Sequence, residues 1–174
     1  MGILDKECFG YKDVMHKYRY FFLKELPLYS LIVFVSAKVI KAAYILLHNL
    51  LEHEQWPFLL LFRSQDLLGN IEKLTSLLVL APLFETLFFC VIVYRICAKV
   101  KISDCYYIIV SASLFSFFHL LRDGSGWYTL AYTFVGGVVF AYFYNKQKAK
   151  YNESVAYIFT SLVHFLANFL ILCV

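Results

Sequence analysis

Apolar residues gather into long runs along this chain, and short stretches between the runs hold most of the charge. Four runs, Leu74 to Tyr94, Cys105 to Leu121, Trp127 to Tyr144 and Ser154 to Val174, approach the ~20 residues with which an α-helix crosses a hydrocarbon core ~30 Å thick. A fifth run, Leu26 to Leu51, is expected to cross as well, although Lys38 and Lys41 fall in its middle. Those lysines must snorkel, face a polar cavity or meet a carboxylate. Glu52 to Lys73 mixes charges with Phe58 to Phe62, too short to span, and reads as an interfacial loop. In the first 25 residues, Lys6, Lys12, Lys17, Arg19 and Lys24 interrupt every apolar stretch. The apolar core of a cleavable signal peptide is missing there, so the N-terminus is expected to stay on the chain. Val14, Met15, Tyr18, Phe21 and Phe22 recur at helical spacing among those bases, which suits either a helix on an anionic membrane surface or a solvated lead-in. The expected fold is all-α, a polytopic transmembrane helical bundle of four spans preceded by one N-terminal span. Residues 1–25 form the cytoplasmic lead-in, 26–73 the first span and loop, and 74–174 the helical core.

Composition fits that picture. The chain is 61% apolar and 16% charged, whereas soluble domains run near half and a quarter, so lipid is the expected solvent. A net charge of +4, scattered between apolar runs, gives no basic face for nucleic acid. Its placement says more. Lys6, Lys12, Lys17, Arg19 and Lys24, with Arg95, Lys99, Lys101, Lys146, Lys148 and Lys150, put eleven bases on one side; Arg63, Lys73 and Arg122 put three on the other. Basic short loops stay cytoplasmic, so the N-terminus is expected inside and the C-terminus outside. The cysteines, Cys8, Cys90, Cys97, Cys105 and Cys173, are odd in number, without CxxC or Cys/His zinc spacing, and read as buried apolar residues or free thiols.

Ionisable residues inside spans cost several kcal/mol, so Glu85, His119 and His164 need a reason to be there. The bland reason is structural: Glu85 pairing with Lys38 or Lys41, and His119, His164 and Asn168 bridging helices. Their spacing suggests more. His164 and Asn168 lie four apart on one helix face, and Phe115 and His119 repeat the interval on another helix. Counted at ~1.5 Å per residue from the ends marked by Arg95, Asp104 and Asn152, Glu85 stands about 15 Å up, His119 about 22 Å, His164 about 18 Å and Asn168 about 24 Å. One shared site between the midplane and the outer half is geometrically open to all four.

These motifs resemble the CPBP family, the CAAX proteases and bacteriocin-processing enzymes. That family carries Glu-Glu-x-x-x-Arg, Phe-x-x-x-His and His-x-x-x-Asn in order on separate membrane helices. Here the second motif reads Phe115 to His119 and the third His164 to Asn168, with one helix between them. The first keeps only Glu85, because Thr86 stands at its second glutamate and Cys90 at its arginine. The resemblance spans Thr75 to Val174. It implies an intramembrane endopeptidase of a prokaryotic cytoplasmic membrane that needs no cofactor and acts on a membrane-anchored protein or peptide. The Glu85-Thr86 pair is similar to the myxosortase-like branch, whose proposed substrates are C-terminal sorting tails. Whatever the motif's arginine does must be absent or come from elsewhere, with Arg95 and Arg122 as candidates.

The roles implied by the resemblance are a general base at Glu85, a neighbouring imidazole at His119 that orients water, and oxyanion donors at His164 and Asn168. Pro82 removes a helix hydrogen bond just before Glu85, either opening the helix to water or simply kinking it. Two other chemistries use the same residues. Glu85, His119 and His164 are also a two-histidine, one-carboxylate zinc set, although Asn168 is a poor zinc ligand. Cys90 is a conceivable nucleophile, but it sits about 140° round the helix from Glu85, which favours a buried thiol. Gly136 and Gly137 fit close helix packing, Tyr106, Tyr107, Trp127 and Tyr128 fit interfacial anchoring, and His16, His48 and His53 need no catalytic role. The competing function classes are a non-catalytic immunity or assembly protein and, ranked last, a small proton-coupled transporter.

Overall fold

The structure, a computed structural model, describes residues 16, 18–52, 74–123 and 127–173. The interfacial loop over 53–73, the lead-in residues Val14 and Met15, and the residues Cys8 and His53 lie outside the described residues, as do the side chains of His48 and Trp127. Among the described residues there are helices and no strands. α1 comprises a π turn, Phe21–Glu25, continued by Leu26–Glu52. α2 is Ser76–Lys99, α3 Asp104–Asp123, α4 Trp127–Lys150 and α5 Glu153–Cys173. α1 begins ahead of Leu26, because Phe21 is buried and stacks on Phe159 of α5 with ring centroids 3.6 Å apart.

Tyr18–Leu47, Ser76–Lys99, Asp104–Arg122 and Glu153–Cys173 are long and apolar enough to cross a membrane. The N-terminal helix therefore joins the clear spans, while α4 falls short of their apolarity. Position explains the difference. α4 touches each of the other four helices, and Thr129, Thr133, Tyr144 and Gln147 are buried within it. A helix surrounded by protein has less need of an apolar, lipid-facing surface. Lys38 folds its ammonium over the Phe34 ring of its own helix, 5.5 Å from the centroid.

Short side chains and hydroxyls set the helix spacing. Ser30 Oγ donates to the Val163 carbonyl at 3.1 Å, tying α1 to α5, and Ser116 Oγ donates to the Leu130 carbonyl at 2.6 Å, tying α3 to α4. Such interhelical bonds serve where the hydrophobic effect gives no preference for helix over lipid. At the end where α1 begins, Gln147 Nε2 donates to Glu25 Oε2 at 2.9 Å and Lys146 Nζ lies 3.1 Å from Glu25 Oε1, so that buried acid is satisfied from α4. Arg95 of α2 pairs with Glu153 of α5 at the same end, and Asn152 Oδ1 caps α5 by accepting from the Val155 N–H at 2.9 Å. Between α2 and α3, Lys101 takes φ 58° while Ile102 N–H reaches the Cys97 carbonyl at 2.9 Å, a left-handed helix stop made without glycine.

α3 approaches α4 closely at Gly137. A Cβ added at Gly137 would stand 2.8 Å from Ala112 Cα and 3.2 Å from Phe115 Cδ1, whereas one at Gly136 would meet only ordinary contacts from 3.7 Å. Gly137→Ala should therefore destabilise the bundle by about 1–3 kcal/mol through overpacking. Gly136→Ala should be close to neutral, and thermal unfolding of the two variants in detergent measures the difference.

Candidate active site

α2 is wound unevenly around Glu85. Ser76–Leu80 and Thr86–Ile92 are π turns on either side of a short α segment, Ala81–Glu85. In the first π turn the Ala81 N–H bonds the Ser76 carbonyl, five residues back. In that register residue 82 would serve the Leu77 carbonyl, but Pro82 has no N–H to give. Asn168 Nδ2, from α5, donates to the Leu77 carbonyl at 3.3 Å instead. Extra residues in a turn re-aim the face that follows, a device common at functional sites. The second π turn is held from α3: Ser111 Oγ donates to the Phe89 carbonyl at 2.6 Å and Tyr107 Oη to the Cys90 carbonyl at 3.2 Å.

Glu85 is turned inward, with its side chain 7% exposed. Its Oε2 lies 3.4 Å from His119 Nε2 and 3.5 Å from His164 Nε2. Its Oε1 accepts from Arg122 Nη1 at 2.9 Å. Arg122 Nη2 lies 3.0 Å from His119 Nδ1, so one guanidinium spans the carboxylate and an imidazole. Phe115 explains the aromatic that precedes His119 by one turn: its ring packs edge-on at 4.6 Å from His119 and 5.7 Å from His164. Phe140 of α4 stacks on His164 at 4.2 Å, fixing the ring plane from the other side. Gly137 admits Phe115 to this position, which links the α3–α4 contact to the imidazoles.

These groups border a cavity of about 580 Å³ at the end of the bundle where α2 begins and α3 ends. Glu85, His119, His164 and Asn168 all line it. Tyr128, Tyr132 and Thr133 of α4 and Val33 of α1 form much of the facing wall. Glu85, His119 and His164 come together, Asn168 lines the same cavity, and Arg122 joins Glu85 and His119. Arg122 was legible only as one of two candidates to supply a missing arginine; Arg95 is paired with Glu153 at the opposite end of the bundle. Cys90 is 3% exposed and is absent from the lining of this cavity, so a substrate placed there would not reach its thiol. Thr86 is buried, and its Oγ1 has no hydrogen-bond partner among the described residues. Among those residues, no group of three or more His, Cys, Asp or Glu is disposed to hold a metal ion.

Membrane-length helices around a chamber with a carboxylate, two imidazoles and a guanidinium describe a polytopic integral membrane protein with a polar intramembrane site. The chain belongs to the Rce1-like family, type II CAAX prenyl endopeptidases, whose family model matches residues 67–170, more than half of the 174. That stretch contains all three motif helices and the whole polar cluster. Membership implies CAAX-type intramembrane endopeptidase activity on a membrane-anchored substrate. No curated protein and no solved structure matches the chain.

Removing the Asn168 amide should orphan the Leu77 carbonyl and cost about 1–2 kcal/mol. In a Pro82→Ala background the new N–H competes for that carbonyl, so Asn168→Ala should cost less there. A double-mutant cycle by thermal unfolding in detergent reads this coupling, and additive losses would show that the two residues act independently.

Proposed function

We propose that this chain is a glutamate-type intramembrane endopeptidase in which Glu85 activates water against the scissile carbonyl. The supporting observation is that Glu85 Oε2 faces both imidazole Nε2 atoms, at 3.4 and 3.5 Å, on the wall of a cavity of peptide-accommodating size. In the attack, Glu85 Oε2 takes a proton from water, and the resulting hydroxide oxygen bonds to the carbonyl carbon. His119 orients the water, while His164 and Asn168 donate to the developing oxyanion. Asn168 has two amide hydrogens, so one can serve Leu77 while the other faces the substrate. Collapse of the tetrahedral intermediate breaks the C–N bond, and the proton held by Glu85 passes to the leaving amine. The chamber lies opposite the end that carries Arg95 and Lys146, so with basic loops cytoplasmic it sits in the outer half of the bilayer.

A zinc route through Glu85, His119 and His164 is disfavoured by Arg122. A dication at Glu85 would lie beside a guanidinium that already donates to Oε1 at 2.9 Å and to the ring of a second would-be ligand. Substrate class divides between prenylated CAAX termini, which the family description names, and the C-terminal sorting tails suggested by Glu85-Thr86.

Internally quenched peptides of both kinds, presented to the protein in proteoliposomes, test the reading. Glu85→Gln should lower cleavage by about 10²–10⁴-fold, and His164→Ala by about 10²–10³-fold, in protein that remains folded. Cleavage should survive strong zinc chelators. Undiminished processing by folded Glu85→Gln would leave the polar cluster a purely structural role, as in an immunity or assembly protein.

A further inference from the structure

We propose that Arg122 is a positioning residue that sets Glu85 and His119 together through its single guanidinium; this rests on the reading of Glu85 as the base. Arg122 follows His119 by three residues on α3, so the two side chains project from one helix face. Its guanidinium carbon lies 5.7 Å from the Phe118 ring centroid, which steadies the plane. Nη1 donates to Glu85 Oε1 at 2.9 Å and Nη2 approaches His119 Nδ1 at 3.0 Å. Arginine donates and never accepts, so Nδ1 presents its lone pair. His119 is then the neutral tautomer with its proton on Nε2, the nitrogen 3.4 Å from Glu85 Oε2. The His119 Nε2 proton then faces Glu85, and Glu85 Oε2 is left as the proton acceptor. One residue thus separates the roles of carboxylate and imidazole.

Among the described residues, the ionisable groups that face Glu85 or its cavity come from α3, α5 and α4. His119 and Arg122 face it from α3 and His164 from α5; α4 brings the phenols of Tyr128 and Tyr132 to the cavity, and α1 brings only Val33 to the lining. Lysine offers a comparable charge but a point donor without the planar fork, so it should serve Glu85 and not His119 as well.

The test is NMR on full-length protein in nanodiscs, with 15N-labelled histidine and 13C-labelled glutamate carboxyls, assigned by difference against His119→Gln and Glu85→Gln. Wild type should show His119 protonated on Nε2 with Nδ1 bare. In Arg122→Met, His119 should become a mixture of tautomers. Arg122→Lys should keep a cation on Glu85 and still leave the His119 tautomers mixed. An unchanged His119 tautomer in a folded Arg122→Met protein would overturn the proposal, as would its full restoration by lysine. In proteoliposomes, Arg122→Met should lower cleavage of an internally quenched farnesylated CAAX peptide more than Arg122→Lys does. The spectra need no substrate, so a wild-type protein that cleaves no peptide refutes the protease reading while the spectra still decide the role of Arg122.

Discussion

A carboxylate among membrane helices must be solvated by the protein itself, and the upper half of this bundle is organised around that need at Glu85. The charge is surrounded by a guanidinium at 2.9 Å and two imidazoles within 3.5 Å, drawn from α3 and α5. Each of those groups needs its own support. Phe115 and Phe140 fix the rings, Phe118 lies beside the guanidinium, and Gly137 lets α3 come close enough to α4 for Phe115 to fit. Losing the charge partner of a buried carboxylate leaves it stranded at a cost of several kcal/mol, which makes the arrangement a constraint on three helices at once.

The backbone of α2 answers the same constraint. Pro82 leaves the Leu77 carbonyl without its π-register donor, and side chains from the neighbouring helices bond carbonyls in both π turns. Asn168 serves Leu77, Ser111 serves Phe89 and Tyr107 serves Cys90. Irregular backbone at membrane depth persists where protein supplies the missing partners, and α2 is irregular just where α3 and α5 lie against it. Asn168 thus carries a structural bond beside the catalytic role proposed for it, so loss of activity on its substitution would mix two effects.

α4 shows how position changes what a spanning helix must look like. Its tyrosines, threonines and glycines would be a poor lipid-facing surface, yet it runs against all four other helices and turns Thr133 and Gln147 into a polar interior. At one end this interior satisfies Glu25; at the other, α4 walls the chamber opposite Glu85. The two ends are chemically distinct. One locks α1 to α4 through a satisfied acid, and the other leaves space.

Much of this was legible in the chain alone, because a bilayer imposes a length and an apolarity on every helix that faces it, and both are written in linear order. The helices, the inward faces given by His164 with Asn168 and Phe115 with His119, and the shared level of Glu85 with the histidines follow from run length, period and rise. Helical spacing cannot say which cation meets a buried acid, since that partner comes from another helix at a rotation fixed by packing. Lys38, Lys41, Arg95 and Arg122 were all open choices in the sequence, and only tertiary structure brought Arg122 onto Glu85 and sent Arg95 to Glu153. The π turns of α2 and the bond from Asn168 to Leu77 were hidden for the same reason. They depend on how neighbouring helices satisfy a broken hydrogen-bond ladder, which no local pattern records.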